Sequence, residues 1–179
     1  MVHFVSSLHV LADSDNPCRG VAMLHNCTEK FRCALGKGGV SRDKREGDGA
    51  TPLGRFPLRR AFYRPDRETP PPSPFDLRAL TMQDGWCDDP ASDDYNRLVR
   101  LPHPHRHERL WRADHVYDLL IVVGYNDAPV ISGRGSAIFI HLARENYEPT
   151  EGCIAFARQD LLTILSRLTA DASVEISAA

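Results

Sequence analysis

The run Tyr117-Asp118-Leu119-Leu120-Ile121-Val122-Val123-Gly124-Tyr125 is almost continuously apolar. A strand with one wet face alternates apolar and polar residues, so an unbroken aliphatic run bounded by turn formers reads as a central, buried strand. Ala137 to Leu142 is a second such run. Looser alternation through Phe4–Leu11 and Gly20–His25 marks half-buried strands, and Phe31–Leu35 adds a third. These three fit an antiparallel meander. Arg55 to Tyr63 reads as a further strand and Ser173–Ser177 as a last one. Leucines at 161, 165 and 168 give Asp160–Leu168 helical spacing. The pattern predicts a mainly β (α+β) fold with one helix.

The stretches between these elements are as informative. Gly36 to Ala50 carries five glycines and seven charged residues, and reads as a loop that Thr51-Pro52 closes. Residues 64–75 hold five prolines, which remove backbone donors and turn their neighbours away from helix, so no regular element is expected there. At 179 residues the chain suits one domain spanning 1–179, large enough to bury a core without staples. Its 22 basic and 24 acidic residues create no field that would gather nucleic acid or anionic lipid, so neither partner is expected. Five cysteines without C-x-x-C spacing read as reduced thiols; only Cys27 and Cys33, facing each other across a hairpin, would offer a bridge.

The chemistry is carried by Cys153, twelve residues after His141. A thiol attacks carbonyls as thiolate, and an imidazole nearby can take its proton. Gly152 lacks a Cβ, which lets a carbonyl substrate approach the Gly152 and Cys153 amides as oxyanion donors. Buried free cysteines and core histidines are common, so the pair needs support from the rest of the chain.

That support is a set of motifs in order. Thr51-Pro52-Leu53-Gly54-Arg55-Phe56, then Ile138-Phe139-Ile140-His141, then Thr150-Glu151-Gly152-Cys153-Ile154 together resemble the catalytic domain of the L,D-transpeptidases, the YkuD family. The resemblance implies a β-sandwich of that type with a helix after the cysteine. It also implies thiol acyl transfer on peptidoglycan stem peptides or muropeptides, at the bond between the diamino acid's L-centre and D-alanine, without metal or cofactor. Three departures accompany it. Glu151 stands where the family usually has histidine, Ala155 where it often has arginine, and the interval from His141 to Cys153 is short. Substrate carboxylates must then be met elsewhere, with Arg158 or the basic run Arg42, Lys44, Arg45 as candidates beside Thr150, Glu151 and Asn126 at the site.

The expected acceptor is water, making the chain an L,D-carboxypeptidase that trims tetrapeptide to tripeptide in muropeptide recycling. The alternatives are a crosslinking L,D-transpeptidase and a catalytically weak peptide-binding module in which Glu151 keeps the thiol protonated. The carboxypeptidase expectation follows from the first twenty residues, which lack a basic n-region and are interrupted by His9, so they make a poor signal peptide. A cytoplasmic location is expected, or a periplasmic one if Met1 is not the native start. A rival of another class is a zinc hydrolase built on His103, His105 and His107, but the flanking prolines and the lack of further ligands at metal spacing favour a solvated loop. Trp86, Tyr95, Asn96, Tyr125 and Asn126 could line a substrate pocket; core packing is the stronger expectation for Trp86 and Trp111, and a turn an equal one for Asn126.

Overall fold

The three N-terminal apolar stretches form the antiparallel meander expected of them: β1 (Val5–Ala12), β2 (Arg19–Leu24) and β3 (Phe31–Ala34) pair in sequence order. The structure, a computed structural model, describes residues 4–179. The glycine-rich loop is irregular apart from a two-residue ladder between β4 (Val40–Ser41) and β5 (Thr51–Pro52), and it leads into the long strand β6 (Gly54–Tyr63). Residues 64–75 contain no helix or strand. Beyond them come β7 (Asp76–Ala79) and three strands too short to show alternation: β8 (Asp84–Cys87), β9 (Leu98–Arg100) and β10 (His107–Arg109). The chain then runs through β11 (Leu119–Val123), β12 (Phe139–Leu142), a 3-10 turn at Glu145–Tyr147, β13 (Ile154–Phe156), α1 (Arg158–Arg167) and β14 (Leu168–Ala178).

Eight strands pair in a closed circuit, β11-β12-β13-β3-β2-β1-β14-β6 and back to β11, with β7 added on β6. The fold is mainly β, of the sandwich or barrel kind. β14 starts at Leu168, well before the expected Ser173, because Thr169 and Asp171 interrupt the apolar pattern while the backbone stays extended. An irregularity in its pairing with β1, between Val5 and Ser7, takes up the extra length. The helix begins at Arg158 and buries Leu161, Ile164 and Leu165 in the main core.

The continuous apolar sequence of β11 follows from its position between two cores. Leu119, Ile121 and Val123 join the main core, while Leu120 and Val122 join a second cluster with Phe62, Trp86, Tyr117 and Phe139. Trp86, from the small sheet β10-β8-β9, packs its ring edge on Phe139 at 5.1 Å between centroids. The period of two then sets the site. In β12, Ile140 and Leu142 enter the main core, so Phe139 and His141 face the other way. In β13, Ile154 and Phe156 enter the main core, and Cys153 just before them belongs with the second cluster. Since β12 and β13 are parallel, with His141 opposite Ala155, His141 and Cys153 lie on one face as diagonal neighbours of adjacent strands.

Candidate active site

The turn that presents Cys153 is tied by its own residues. Thr150 Oγ1 donates to the Cys153 carbonyl at 2.7 Å and accepts the Gly152 N–H at 3.1 Å. Gly152 has φ +132, a region that side chains with a Cβ avoid, and a Cβ there would stand 2.8 Å from the Ala50 carbonyl oxygen. Ala50, which leads into the Thr51-Pro52 segment, is therefore packed directly against the cysteine turn. Thr51, fully buried, holds that segment by accepting the Gly36 N–H at 2.8 Å. One expectation meets a difference here: the Gly152 amide is already engaged by Thr150 and does not face a vacant oxyanion position.

Cys153 is 7% exposed and His141 5%. The thiol donates to the Ala137 carbonyl and accepts the Phe139 N–H, each at 3.3 Å. Ala137 holds φ +53, unusual for a residue with a Cβ; Asn96 Oδ1 fixes it by accepting its N–H at 3.0 Å. His141 Nδ1 lies 2.9 Å from the Leu142 carbonyl. A carbonyl only accepts, so Nδ1 carries the proton and Nε2 keeps its lone pair, the tautomer a general base requires. Tyr117 packs edge-on against the imidazole at 5.3 Å.

Burial sets the charge states. It lowers His141 to about 4, against which the Leu142 hydrogen bond is a smaller, opposing effect. Burial likewise pushes the Cys153 thiol up to about 12; Glu108 raises it further, the Phe139 N–H and Lys44 lower it, and Glu151 is the smallest influence. Thiol and imidazole are thus both neutral in the free protein across the physiological range. Glu151 is largely exposed and pairs with Lys37 at 2.8 Å, so its effect on the thiol is weak.

Cys153 and His141 open onto one cleft of about 580 Å³. Thr150, Glu151 and Lys44 also line it, as does Ala155. Lys44 is 4% exposed, with Nζ held by Asp48 Oδ1 at 2.7 Å. The remaining sequence candidates lie elsewhere. Arg42 is exposed and outside the cleft, and Arg45 pairs with Asp43 at 3.0 Å. Arg158 pairs with Glu68 and borders a different hollow with Arg67 and His115. Asn126 has φ +50 and staples its own loop, donating to the Ile131 and Gly135 carbonyls at 3.0 and 2.9 Å. Trp86 and Asn96 are bound to each other, Nε1 to Oδ1 at 3.0 Å, and border a second hollow rather than this cleft. Tyr95 holds Glu46 and Gly135, and Tyr125 donates to the Arg134 carbonyl.

Sequence reasoning missed Arg106, Glu108, Arg112, Tyr117 and Arg144, all of which line the cleft. Tyr117 was legible only as the edge of an apolar run, and nothing in the sequence distinguishes these charged residues from solvated ones. Of the histidine cluster, His103 approaches Asp94 at 3.2 Å and His105 approaches Asp89 at 3.4 Å. Among the described residues no group of three His, Cys, Asp or Glu side chains is placed to hold a metal ion. All five cysteines are free thiols, Cys27 and Cys33 included.

Compared with known families, residues 22–176 match the family model YkuD, described as the L,D-transpeptidase catalytic domain. No curated protein matches the chain.

Proposed function

Since the chain belongs to the L,D-transpeptidase catalytic-domain family, a family of cysteine enzymes acting on peptidoglycan, we propose that Cys153 is its nucleophile, His141 its general base and water its acyl acceptor. The observation that carries the first two roles is the shared cleft, into which a thiol and an imidazole of the basic Nε2 tautomer open from adjacent strands. Both being neutral, proton transfer accompanies attack rather than preceding it. His141 Nε2 takes the thiol proton as Sγ adds to the carbonyl carbon at the diamino acid's L-centre, and the carbonyl oxygen becomes an oxyanion. The Cys153 amide is the proposed donor to that oxyanion. On collapse the C–N bond breaks, the D-alanine amine leaves with the proton from His141, and a thioester remains. Water, deprotonated by His141, then adds to the thioester and releases the shortened peptide and the thiol.

What supports water is the near-complete burial of both groups and the short connection between His141 and Cys153, which suit a small acceptor. The crosslinking reading has its own support in Glu148 and Glu151, carboxylates at the cleft that would attract an amine. Incubation with a disaccharide tetrapeptide, with products separated by mass, tests both. Free tripeptide in excess is the expected result; crosslinked dimer in excess of tripeptide would assign transpeptidation instead.

The lowered His141 basicity has a direct kinetic consequence. A base must be neutral to act, so kcat/KM is lost only as pH falls through about 4, whereas an ordinary histidine would lose it already as pH falls through 6.5. A pH profile of kcat/KM that declines already from neutrality would show that His141 is not the base, or is not buried in the working enzyme.

A further inference from the structure

Three half-buried carboxylates line the catalytic cleft, and they differ in what holds them. Asp88 is paired with Arg106 at 3.0 Å. Glu46 accepts hydrogen bonds from Tyr95 and from Ser136 Oγ. Glu108 accepts one hydrogen bond, from Tyr117 at 2.8 Å to Oε1, and its Oε2 has no hydrogen-bond partner among the described residues. The nearest cation, Arg112, stands 3.6 Å from Oε1 and is committed to Asp114 through two bonds of 2.7 Å. Arg144 also turns to Asp114, at 3.5 Å, and Lys44 to Asp48. Glu108 is thus a carboxylate drawn partly out of water whose one cation, Arg112, is shared with Asp114 and reaches only Oε1. Tyr117, which holds it, is the residue packed against His141, so Glu108 is anchored to the catalytic wall. Consistently, burial raises the Glu108 carboxyl, and after burial Glu108 is the strongest influence raising the Cys153 thiol.

A carboxylate only partly matched by a cation, lining the same cleft as a nucleophilic thiol, opposes the thiolate until something positive neutralises it. We propose that Glu108 is the specificity-determining residue of this cleft: its free Oε2 receives the side-chain ammonium of the substrate's diamino acid, and that pairing removes the charge set against the Cys153 thiolate. The inference rests on the acyl-transfer reading above and deepens it. A peptide with the free amine binds and, in binding, eases ionisation of the thiol; a peptide without it forgoes both.

The test uses two stem tetrapeptides, one with a free side-chain amine and one acetylated there, with wild type, Glu108→Gln and Glu108→Asp. Glutamine keeps an acceptor for the Tyr117 hydroxyl, and Glu108→Asp, which keeps the charge, separates charge from folding. For wild type, acetylation is expected to lower kcat/KM by about tenfold or more, the scale of a partly buried ion pair. In Glu108→Gln the two peptides become equivalent, while Glu108→Asp retains a preference for the free amine. Without substrate, Cys153 in Glu108→Gln should react with iodoacetamide several-fold faster at neutral pH than in wild type. Cys153→Ala supplies the background labelling of the other thiols. An acetylation penalty equally large in Glu108→Gln, or an unchanged rate of Cys153 labelling, overturns the proposal. Failure of wild type to turn over either peptide would instead count against the acyl-transfer reading, and the labelling arm reports on Glu108 regardless.

Discussion

Cys153→Ala is expected to lower turnover of a stem tetrapeptide by roughly 10⁴-fold or more, because no other group in the cleft can form the thioester. Serine or lysine cannot substitute from nearby: Ser136 is bound to Glu46, and the Lys44 ammonium is held by Asp48. The fold should survive the change. The sulfur makes two long contacts of 3.3 Å, and losing one buried atom leaves a small gap costing on the order of 1 kcal/mol. Circular dichroism and thermal melting would therefore track wild type while activity disappears. Undiminished hydrolysis by this variant would sink the nucleophile assignment.

Gly152→Ala is expected to cost much stability as well as activity. The backbone at φ +132 excludes a Cβ on its own, and the added carbon would meet the Ala50 carbonyl at 2.8 Å, a backbone atom that cannot swing aside. Strain and overlap together predict a loss of about 3 kcal/mol or more, a large share of the roughly 5–15 kcal/mol that holds an ordinary domain folded. Gly47→Ala is the informative control. Gly47 also has positive φ, at +78, yet nothing lies within 4 Å of its missing Cβ, so only the backbone cost of about 1 kcal/mol should appear. Denaturant titration of the two variants separates the effects: equal losses would mean that the packing of the Ala50 backbone against the cysteine turn contributes nothing.

How far the sequence discloses this molecule depends on how each part is encoded. The long strands are legible because alternation repeats over many residues, and β11 because both its faces are apolar. β8, β9 and β10 have three or four residues each, too few for a period, so the sheet that carries Trp86 onto the second core leaves no signal. At the site, His141 and Cys153 are legible through their motifs. Glu108 and Arg112 come from the neighbourhood of those short strands, and their role depends on which chain segment β11 and β12 pack against, which no local pattern states. Asn96 and Asn126 illustrate the reverse. Each has the residue type of a ligand contact, but every amide group of Asn96 is spent on Trp86, Ala137 and the carbonyls of residues 125 and 126, and Asn126 closes its own loop. Arg42, Arg45 and Arg158 are charges near the motifs in sequence, yet none of them lines the cleft: Arg42 and Arg45 lie on the loop outside it, and Arg158, opening α1, pairs with Glu68 over a different hollow.

The closed circuit of strands bears on how such a chain comes off the ribosome. β14 fills the place between β1 and β6, pairing Leu8 with Val174 on one side and Phe56 with Val174 on the other. Until residues 168–178 have emerged, β1 and the first part of β6 each keep a row of backbone donors and acceptors unanswered, although both were synthesised long before. A nascent chain halted between β13 and β14 therefore holds His141 and Cys153 on an open, adhesive sheet, and vectorial synthesis leaves the seam of the circuit to be sewn by the last of its eight strands to be made.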